Sequence, residues 1–370
     1  MKEVMRMEDG WHWRWNKRKN EFMGAFIMKC KFTKIMALAL AVLSAASMGA
    51  CSQQSADSTA GGSSAAEAKQ LKIGVIQYAV HPSLDNCYKG FLEGLEEAGY
   101  QNGKNVTVDF QNAQGEPSNA DMIAKSMVAK KEDMIVGIAT PAAMSAYGAA
   151  KQTEIPVVFT AVSDPVAAGI VQSKEKPGVN CTGSADVLPL KKQLEMIRAF
   201  LPNAKKIGVL YTTSEPNSVS TLKTFQELAP QYNFEVTAVG VTNASEVSAA
   251  AASVVAKGAD CINNFTDNNV VDNLSTVLQA ANKAKIPVFG SEEEQVKNGC
   301  AASVSIDYVA LGKETGKMAA KILKGEAKAA DTPVYTVSDG VSVYNSGVLK
   351  NLGLSVPSAY SDARDVAAAN

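Results

Sequence analysis

The sequence predicts an α/β protein made of two doubly wound parallel-sheet lobes, joined by a hinge that the chain crosses more than once. Three observations predict it. Short β-branched runs alternate with longer helical patterns, which implies right-handed βαβ units and a parallel sheet. The series then repeats at a near-constant shift of about 130 residues. Lys72-Ile73-Gly74-Val75-Ile76 is echoed by Lys206-Ile207-Gly208-Val209-Leu210, and Ile155-Pro156-Val157 by Ile286-Pro287-Val288. Asp133, opening a strand that ends at Thr140, is echoed by Asp260, opening one that ends at Thr266. Finally, 370 residues exceed the ordinary size of one domain and leave room for two.

The elements follow in order. A strand is predicted over residues 71–78 and a helix over 83–99, with Leu84, Tyr88, Phe91, Leu92 and Leu95 at helical spacing and Gly99 at its end. Residues 106–110 read as a strand, 118–131 as a helix, and 133–139 and 156–160 as further strands with a helix from Pro141 between them. After the second series, the chain beyond Pro287 is too short for a third lobe. A strand at 301–306, a helix at 307–323, short strands at 334–337 and 341–343 and a helix at 346–352 are expected to complete both lobes. The boundaries expected are 70–185 with about 292–325 for the first lobe, and 186–291 with about 326–357 for the second. A tail follows at 358–370.

Before the body stands a bacterial export signal, 28–51. Lys29, Lys31 and Lys34 precede a short apolar core from Ile35 to Leu43, too short to span a bilayer as a stable helix. The run Ser44-Ala45-Ala46-Ser47-Met48-Gly49-Ala50-Cys51 resembles a lipobox, whose cysteine thiol takes a diacylglycerol. Cys51 is therefore the expected lipidation site, and the protein is expected to sit outside the cytoplasm on a lipid anchor. Translation is expected to start at Met28, leaving 1–27 without a folded role. Residues 52–69 are rich in Ser, Ala, Gly and Gln and read as a flexible tether.

Composition narrows the function. The formal net charge of −1 and the absence of a basic stripe speak against a nucleic-acid partner. Past residue 51 the only arginines are Arg198 and Arg364, so an arginine fork for phosphate or dicarboxylate is not expected, which favours a neutral or zwitterionic ligand. The histidines are His12 and His81 alone, and the cysteines Cys87, Cys181, Cys261 and Cys300 form no C-x-x-C pair. No metal site or cofactor is expected, and these cysteines read as small buried apolar residues.

In open parallel sheets ligands sit outside the carboxyl ends of strands. Those ends are Gln77-Tyr78, Thr140-Pro141 and Thr160 to Asp164 in the first lobe, and Tyr211-Thr212, Thr266-Asp267-Asn268 and Gly290-Ser291-Glu292 in the second. Two such rims face to face enclose a cleft whose chemistry suits a zwitterion. Thr140, Ser163, Ser218 and Thr266 lie near helix starts, where free N–H groups attract a carboxylate. Asp164, Asp267, Glu292 or Asp307 could accept an ammonium. Tyr78, Tyr211 and Tyr308 could flank an apolar or aromatic side chain.

Several motifs together carry a family resemblance: Gln77…His81-Pro82-Ser83-Leu84-Asp85 with Gly90-Phe91; Thr140-Pro141-Ala142; Phe159-Thr160-Ala161-Val162-Ser163-Asp164-Pro165; Tyr211…Glu215-Pro216-Asn217-Ser218; Thr266-Asp267-Asn268; and Ile306-Asp307-Tyr308. The stretch from about 71 to 357 resembles the substrate-binding lipoproteins of ABC importers, which include tryptophan- and tyrosine-binding members. That resemblance implies a type I periplasmic-binding-protein fold with the ligand between lobes. It places Gln77, His81 and Asp85 at the first-lobe rim, with Thr140, Thr160, Ala161, Val162, Ser163 and Asp164 on the same wall. Tyr211, Glu215, Asn217, Ser218 and Asp267 would face them from the second lobe. It further implies an amino-acid ligand, aromatic or otherwise hydrophobic, and an ABC permease and ATPase as partners of a monomeric binding protein. The family begins at its signal, and residues 1–27 depart from that pattern.

Two other functions fit the sequence less well. For an enzyme, the body lacks G-x-G-x-x-G, H-E-x-x-H and G-x-S-x-G, and Gly312-Lys313-Glu314-Thr315-Gly316-Lys317 has the wrong spacing for a phosphate loop, with Met318 where Ser or Thr belongs. His81 near Asp85 and Cys87 reads as a His-Pro turn opening a helix. The other rival is a ligand-sensing receptor that signals through a membrane partner, separable from an importer by its genomic neighbours.

Overall fold

The computed structural model describes residues 70–337 and 339–367 of the chain. The expected signal, Cys51 and the tether lie outside the described residues. The first lobe opens β1 (Leu71–Gln77), α1 (Pro82–Glu97), β2 (Val106–Asn112), α2 (Pro117–Ala129), β3 (Met134–Ile138), α3 (Thr140–Ala150), β4 (Val157–Thr160) and β5 (Cys181–Asp186). The second continues α4 (Leu190–Phe200), β6 (Lys206–Thr212), α5 (Pro216–Leu228), β7 (Glu235–Val241), α6 (Val247–Ala256), β8 (Cys261–Asn263), α7 (Asn268–Asp272), α8 (Leu274–Ala284), β9 (Val288–Phe289), α9 (Glu293–Lys297) and β10 (Ala302–Ser305). The remainder is α10 (Tyr308–Leu323), β11 (Tyr335–Val337), β12 (Val341–Tyr344), α11 (Ser346–Leu352) and β13 (Arg364–Asp365).

The first sheet has the order β11-β5-β4-β3-β1-β2, and every pairing in it is parallel. The second is a parallel sheet of order β7-β6-β8-β9. Backbone bonds from Gly290 N to Ala302 O and from Ala301 N to Val288 O carry it on to β10, which pairs with β12 and through it with β13. Strands covered on both faces read as continuous apolar runs, and β3 is buried at every position. Both sheets reverse direction of winding beside their first strand (β1 and β6), the place where α/β sheets open a crevice.

The chain changes lobe between β5 and α4, between β10 and α10, and between β11 and β12. This differs in detail from the expected boundaries. α9 and β10 stay with the second lobe, because β10 hydrogen-bonds beside β9, and β11 belongs to the first, paired with β5. The expected tail contains β13, which pairs with β12. Alternation of strands and helices does not say which sheet a late strand joins; only the pairing does.

The Gly312–Lys317 run is a helix-packing surface. α10 lies against α1 so closely that a Cβ on Gly312 would stand 2.1 Å from Cys87 O, and one on Gly94 2.1 Å from Lys313 O. Gly90 and Gly316 complete the contact from either side. Two small residues four apart on each helix let the backbones meet.

Cys87, Cys181, Cys261 and Cys300 are buried free thiols, and burial pushes each of them above the ordinary thiol range.

Candidate ligand-binding site

The strand tips of the two lobes converge on a narrow cleft in which only about 10 Å³ would admit the centre of a water molecule. That is far below the roughly 300–1,000 Å³ of ordinary small-molecule pockets, so a ligand fits only once the lobes part. His81, Leu84, Ala139, Thr140, Ala161 and Ser163 line it from the first lobe, and Asn217, Thr266, Asn268 and Glu292 from the second. Asp186 and Tyr308 close it at the hinge.

On the first-lobe wall the backbone is strained where it turns into the cavity. Ala139, between β3 and the head of α3, has φ 77° and ψ 155°, and Ala161, just past β4, has φ 55°. Side chains other than glycine avoid these regions, at a cost of about 1–3 kcal/mol each, and such strain gathers at ligand clamps. Here it brings two small methyl groups, rather than a long side chain, to the cavity wall.

At the hinge, Asp186 ends β5 and Tyr308 opens α10. Tyr308 donates its hydroxyl to Asp186 Oδ2 at 2.9 Å, and Ser163 donates to Oδ1 at 3.0 Å. Complete burial raises the Asp186 carboxyl to about 6 despite these two bonds. The same burial, with Asp186 beside it, pushes the Tyr308 phenol well up.

The second-lobe wall is braced by two carboxylates set behind it. Asp267 accepts from Thr212 N, from Thr212 Oγ1 at 2.7 Å, from Ser218 Oγ at 2.6 Å and from Val270 N at 2.9 Å. It thereby caps α7 and ties the tip of β6 to the head of α5. Glu215 accepts from Asn217 Nδ2 at 3.0 Å, Asn268 Nδ2 at 2.7 Å and Asn268 N at 3.1 Å. Burial, with Asp267 nearby, raises its carboxyl to about 7. Glu292 accepts from Gln295 Nε2 at 3.1 Å, and Gln295 in turn holds Asn264 and Ser291 N.

The lining includes no lysine or arginine. Arg198 spends its guanidinium on the carbonyls of Leu201, Pro202, Ala204, Tyr232 and Asn233, and Arg364 pairs with Glu293. The first residues of α3 and α10, Thr140 and Tyr308, and Asn217 in the first turn of α5 are on the lining, and helix heads carry partial positive charge.

Two buried polar atoms on the lining have no partner among the described residues: His81 Nδ1 from the first lobe and Asn217 Oδ1 from the second. Buried polar groups are nearly always bonded, so an unpartnered pair at one cavity marks where another molecule's atoms belong. His81 and Glu292 also face an outer groove with Pro82, Asp272, Ser275 and Asn298, and so stand between the cavity and the surface.

Of the residues read from the sequence, His81, Thr140, Ala161, Ser163, Asn217, Thr266, Glu292 and Tyr308 reach the cavity. The others do not line it. Gln77 donates to Asp85 at 2.7 Å and to Ala79 O, which turns both toward each other. Tyr78 is buried beside them, with its phenol pushed up chiefly by burial. The Thr160 hydroxyl is turned to Cys87 Sγ, and Val162 is core. Asp164 faces Ser220, Asp307 caps α10 through Ala310 N, and Tyr211 lies over Gly240 on the neighbouring strand. Glu215, Ser218 and Asp267 form the bracing just described. Leu84, Ala139, Asp186 and Asn268 were not singled out from the sequence. Asn268 stood inside the Thr266-Asp267-Asn268 strand end, and Leu84 inside the His81–Asp85 motif.

Comparison with known proteins places these features. The family model described as "ABC transporter substrate binding protein" matches residues 72–365. A tyrosine-binding protein of Clostridioides difficile is 40% identical over 331 residues, which is 89% of this chain and 95% of that protein. A crystal structure of an ABC domain in complex with L-Trp from Streptococcus pneumoniae shares 39% identity, covers 80% of this chain and 98% of its own, and superposes with a TM-score of 0.77. A ligand-free, open structure of a substrate binding protein with adhesive properties from Clostridium difficile is 41% identical over 80% of this chain and 99% of its own, with a TM-score of 0.62.

Proposed function

The chain belongs to the ABC transporter substrate-binding protein family, and we propose that it captures an amino acid, aromatic by preference, between its lobes and hands it to an ABC permease with its ATPase. The observation that carries this reading is the pair of atoms without a partner among the described residues, His81 Nδ1 and Asn217 Oδ1, brought from opposite lobes to one cleft. The tyrosine and L-Trp named for the relatives support the ligand class.

Asp186 is the counter-charge for the ammonium, and the heads of α3 and α5 attract the carboxylate. Leu84, Ala139 and Ala161 supply the apolar contacts. Ligand on one lobe gains contacts with the other, so closure is favoured only by that differential affinity. The narrow cavity and the better superposition on the L-Trp complex than on the open relative support a closed arrangement of this chain. A dissociation constant near 1 μM corresponds to roughly −8 kcal/mol, a scale suited to capture and release. Lipidated Cys51 would hold the body to the outer face of the membrane.

Thermal-shift and calorimetric titration of the protein against the amino acids tests the reading. Saturable binding of an aromatic amino acid is the expected result. No binding by any amino acid would remove it.

A further inference from the structure

Beside the cleft, the two lobes also share a groove of about 420 Å³, within the size range of small-molecule sites. Lys174 stands on its first-lobe wall, and Lys191 and Lys192 at the start of α4, with Ser220 and Thr221 on α5, stand on its second-lobe wall. The crossing from β5 to α4, residues 187–189, contributes to the same lining. Its chemistry is that of an anion site. Three ammonium groups meet one carboxylate, Asp164, which is already engaged by Ala167 N at 3.0 Å and by the Ser220 hydroxyl. Lys174 and Lys191 have no ion-pair partner among the described residues, and Lys192 pairs only with Asp339, an almost fully exposed side chain. Thr221 adds a hydroxyl without a partner among the described residues. The backbone that carries Lys174 is pinned, since Lys174 O accepts from Val334 N at 2.7 Å and Ser173 Oγ accepts from Lys176 N at 3.0 Å. Like charges gathered in one groove repel until an anion neutralises them. The groove also adjoins the cleft: Ser163 lines both, and the Asp164–Ser220 bond between the lobes belongs to its wall.

We propose that this groove is a second binding site, for a small molecule bearing a phosphate group that bridges Lys174 of the first lobe to Lys191 and Lys192 of the second. Three lysines and a hydroxyl suit a group of charge near −2 with three terminal oxygens, which lysine binds as a point charge. Parting the lobes carries Lys174 away from the other two, so the anion holds the lobes together and tightens the amino-acid site. Linkage then requires the amino acid to tighten the anion by the same factor. The site stands on its own residues, and only this coupling rests on the amino-acid reading above.

Calorimetric titration of the protein with inorganic pyrophosphate, at an ionic strength held by sodium chloride, tests it, with the double variant Lys174→Ala, Lys191→Ala beside the wild type. Saturable uptake is expected in the wild type, and binding at least about 10-fold weaker in the variant. At saturating pyrophosphate the affinity for L-tyrosine or L-tryptophan should rise about 5-fold or more in the wild type and less than about 2-fold in the variant. No saturable uptake, or equal uptake by the two proteins, would overturn the proposal. So would an amino-acid affinity that pyrophosphate leaves unchanged, since the anion would then bridge nothing. If no amino acid binds, the amino-acid reading falls while the pyrophosphate titration still decides the groove. Phosphatidylglycerol vesicles separate the sources: retention of the protein that pyrophosphate releases assigns the phosphate to a lipid headgroup, and pyrophosphate uptake without retention assigns it to a soluble molecule. Both lysine side chains reach solvent, so their truncation leaves the fold in place.

Discussion

Ser220 on α5 donates its hydroxyl to Asp164 Oδ2 across the cleft, joining the second lobe to the loop that follows β4 in the first. Asp164 uses its other oxygen to hold Ala167 N at 3.0 Å, so the acceptor is itself fixed. A bond of this kind exists only when the lobes meet, and it acts as a latch. Ser220→Ala should therefore weaken ligand binding by roughly 3- to 10-fold, the worth of one hydrogen bond, mainly through faster release. Stopped-flow dissociation rates check this, and an unchanged rate would show that the latch carries no energy.

The Asp186 carboxyl offers a pH test. Its folded value of about 6 lies above the ordinary 3.8, so the folded protein without ligand binds more protons than the unfolded chain between those values. Stability from this group is greatest at low pH and falls as pH rises from about 4 to about 6, by about 2–3 kcal/mol. Glu215 extends the same trend to about 7. Asp186→Asn should flatten the lower part of that slope in melting curves recorded from pH 4 to 7. Ammonium pairing favours the ionised form, so wild-type affinity should rise over this interval, and a flat affinity profile would detach Asp186 from the ligand.

Asp267 and Tyr211 part company. Asp267 is fully buried and accepts four bonds, two of them from Thr212. Asp267→Ala should cost about 3 kcal/mol or more and lower the melting temperature by roughly 5–10 °C. Tyr211→Ala, removing a ring that lies over Gly240, should leave affinity within about 2-fold of wild type. Differential scanning calorimetry and titration of the two variants separate bracing from contact.

The α1–α10 seam predicts a steric failure. A Cβ on Gly312 would stand 2.1 Å from a backbone oxygen that cannot move alone. Gly312→Val should cost about 3 kcal/mol or more by forcing the helices apart, seen as loss of melting temperature with no change in the ligand preference of whatever protein folds.

Much of this was legible in the sequence, and the gaps have physical causes. The strand-tip rule led to Thr140, Ala161 and Glu292 because apolar runs ending in polar residues mark where parallel strands stop. It missed Asp186, since Cys-Thr-Gly-Ser-Ala-Asp does not look like a strand. β5 is nonetheless buried throughout, and Gly183 admits Phe159 O where a Cβ would stand 2.0 Å away. Tyr211 was foreseeable: strand period two sends it to the face opposite Leu210 and Thr212. What no pattern reveals is how fully Asp267 is used, because its partners come from three separate elements. The strain at Ala139 and Ala161 is hidden for a related reason, since alanine at a glycine-like φ leaves no compositional mark.

Both sheets are completed by one late stretch of chain. Each sheet borrows from chain far downstream: the first waits for Tyr335–Val337 and the second for Val341–Tyr344 and Arg364–Asp365. Neither sheet is complete without its last segment. Loss of residues 335–365 would therefore bare a strand edge on both sheets at once, and an unpaired edge is a template for aggregation.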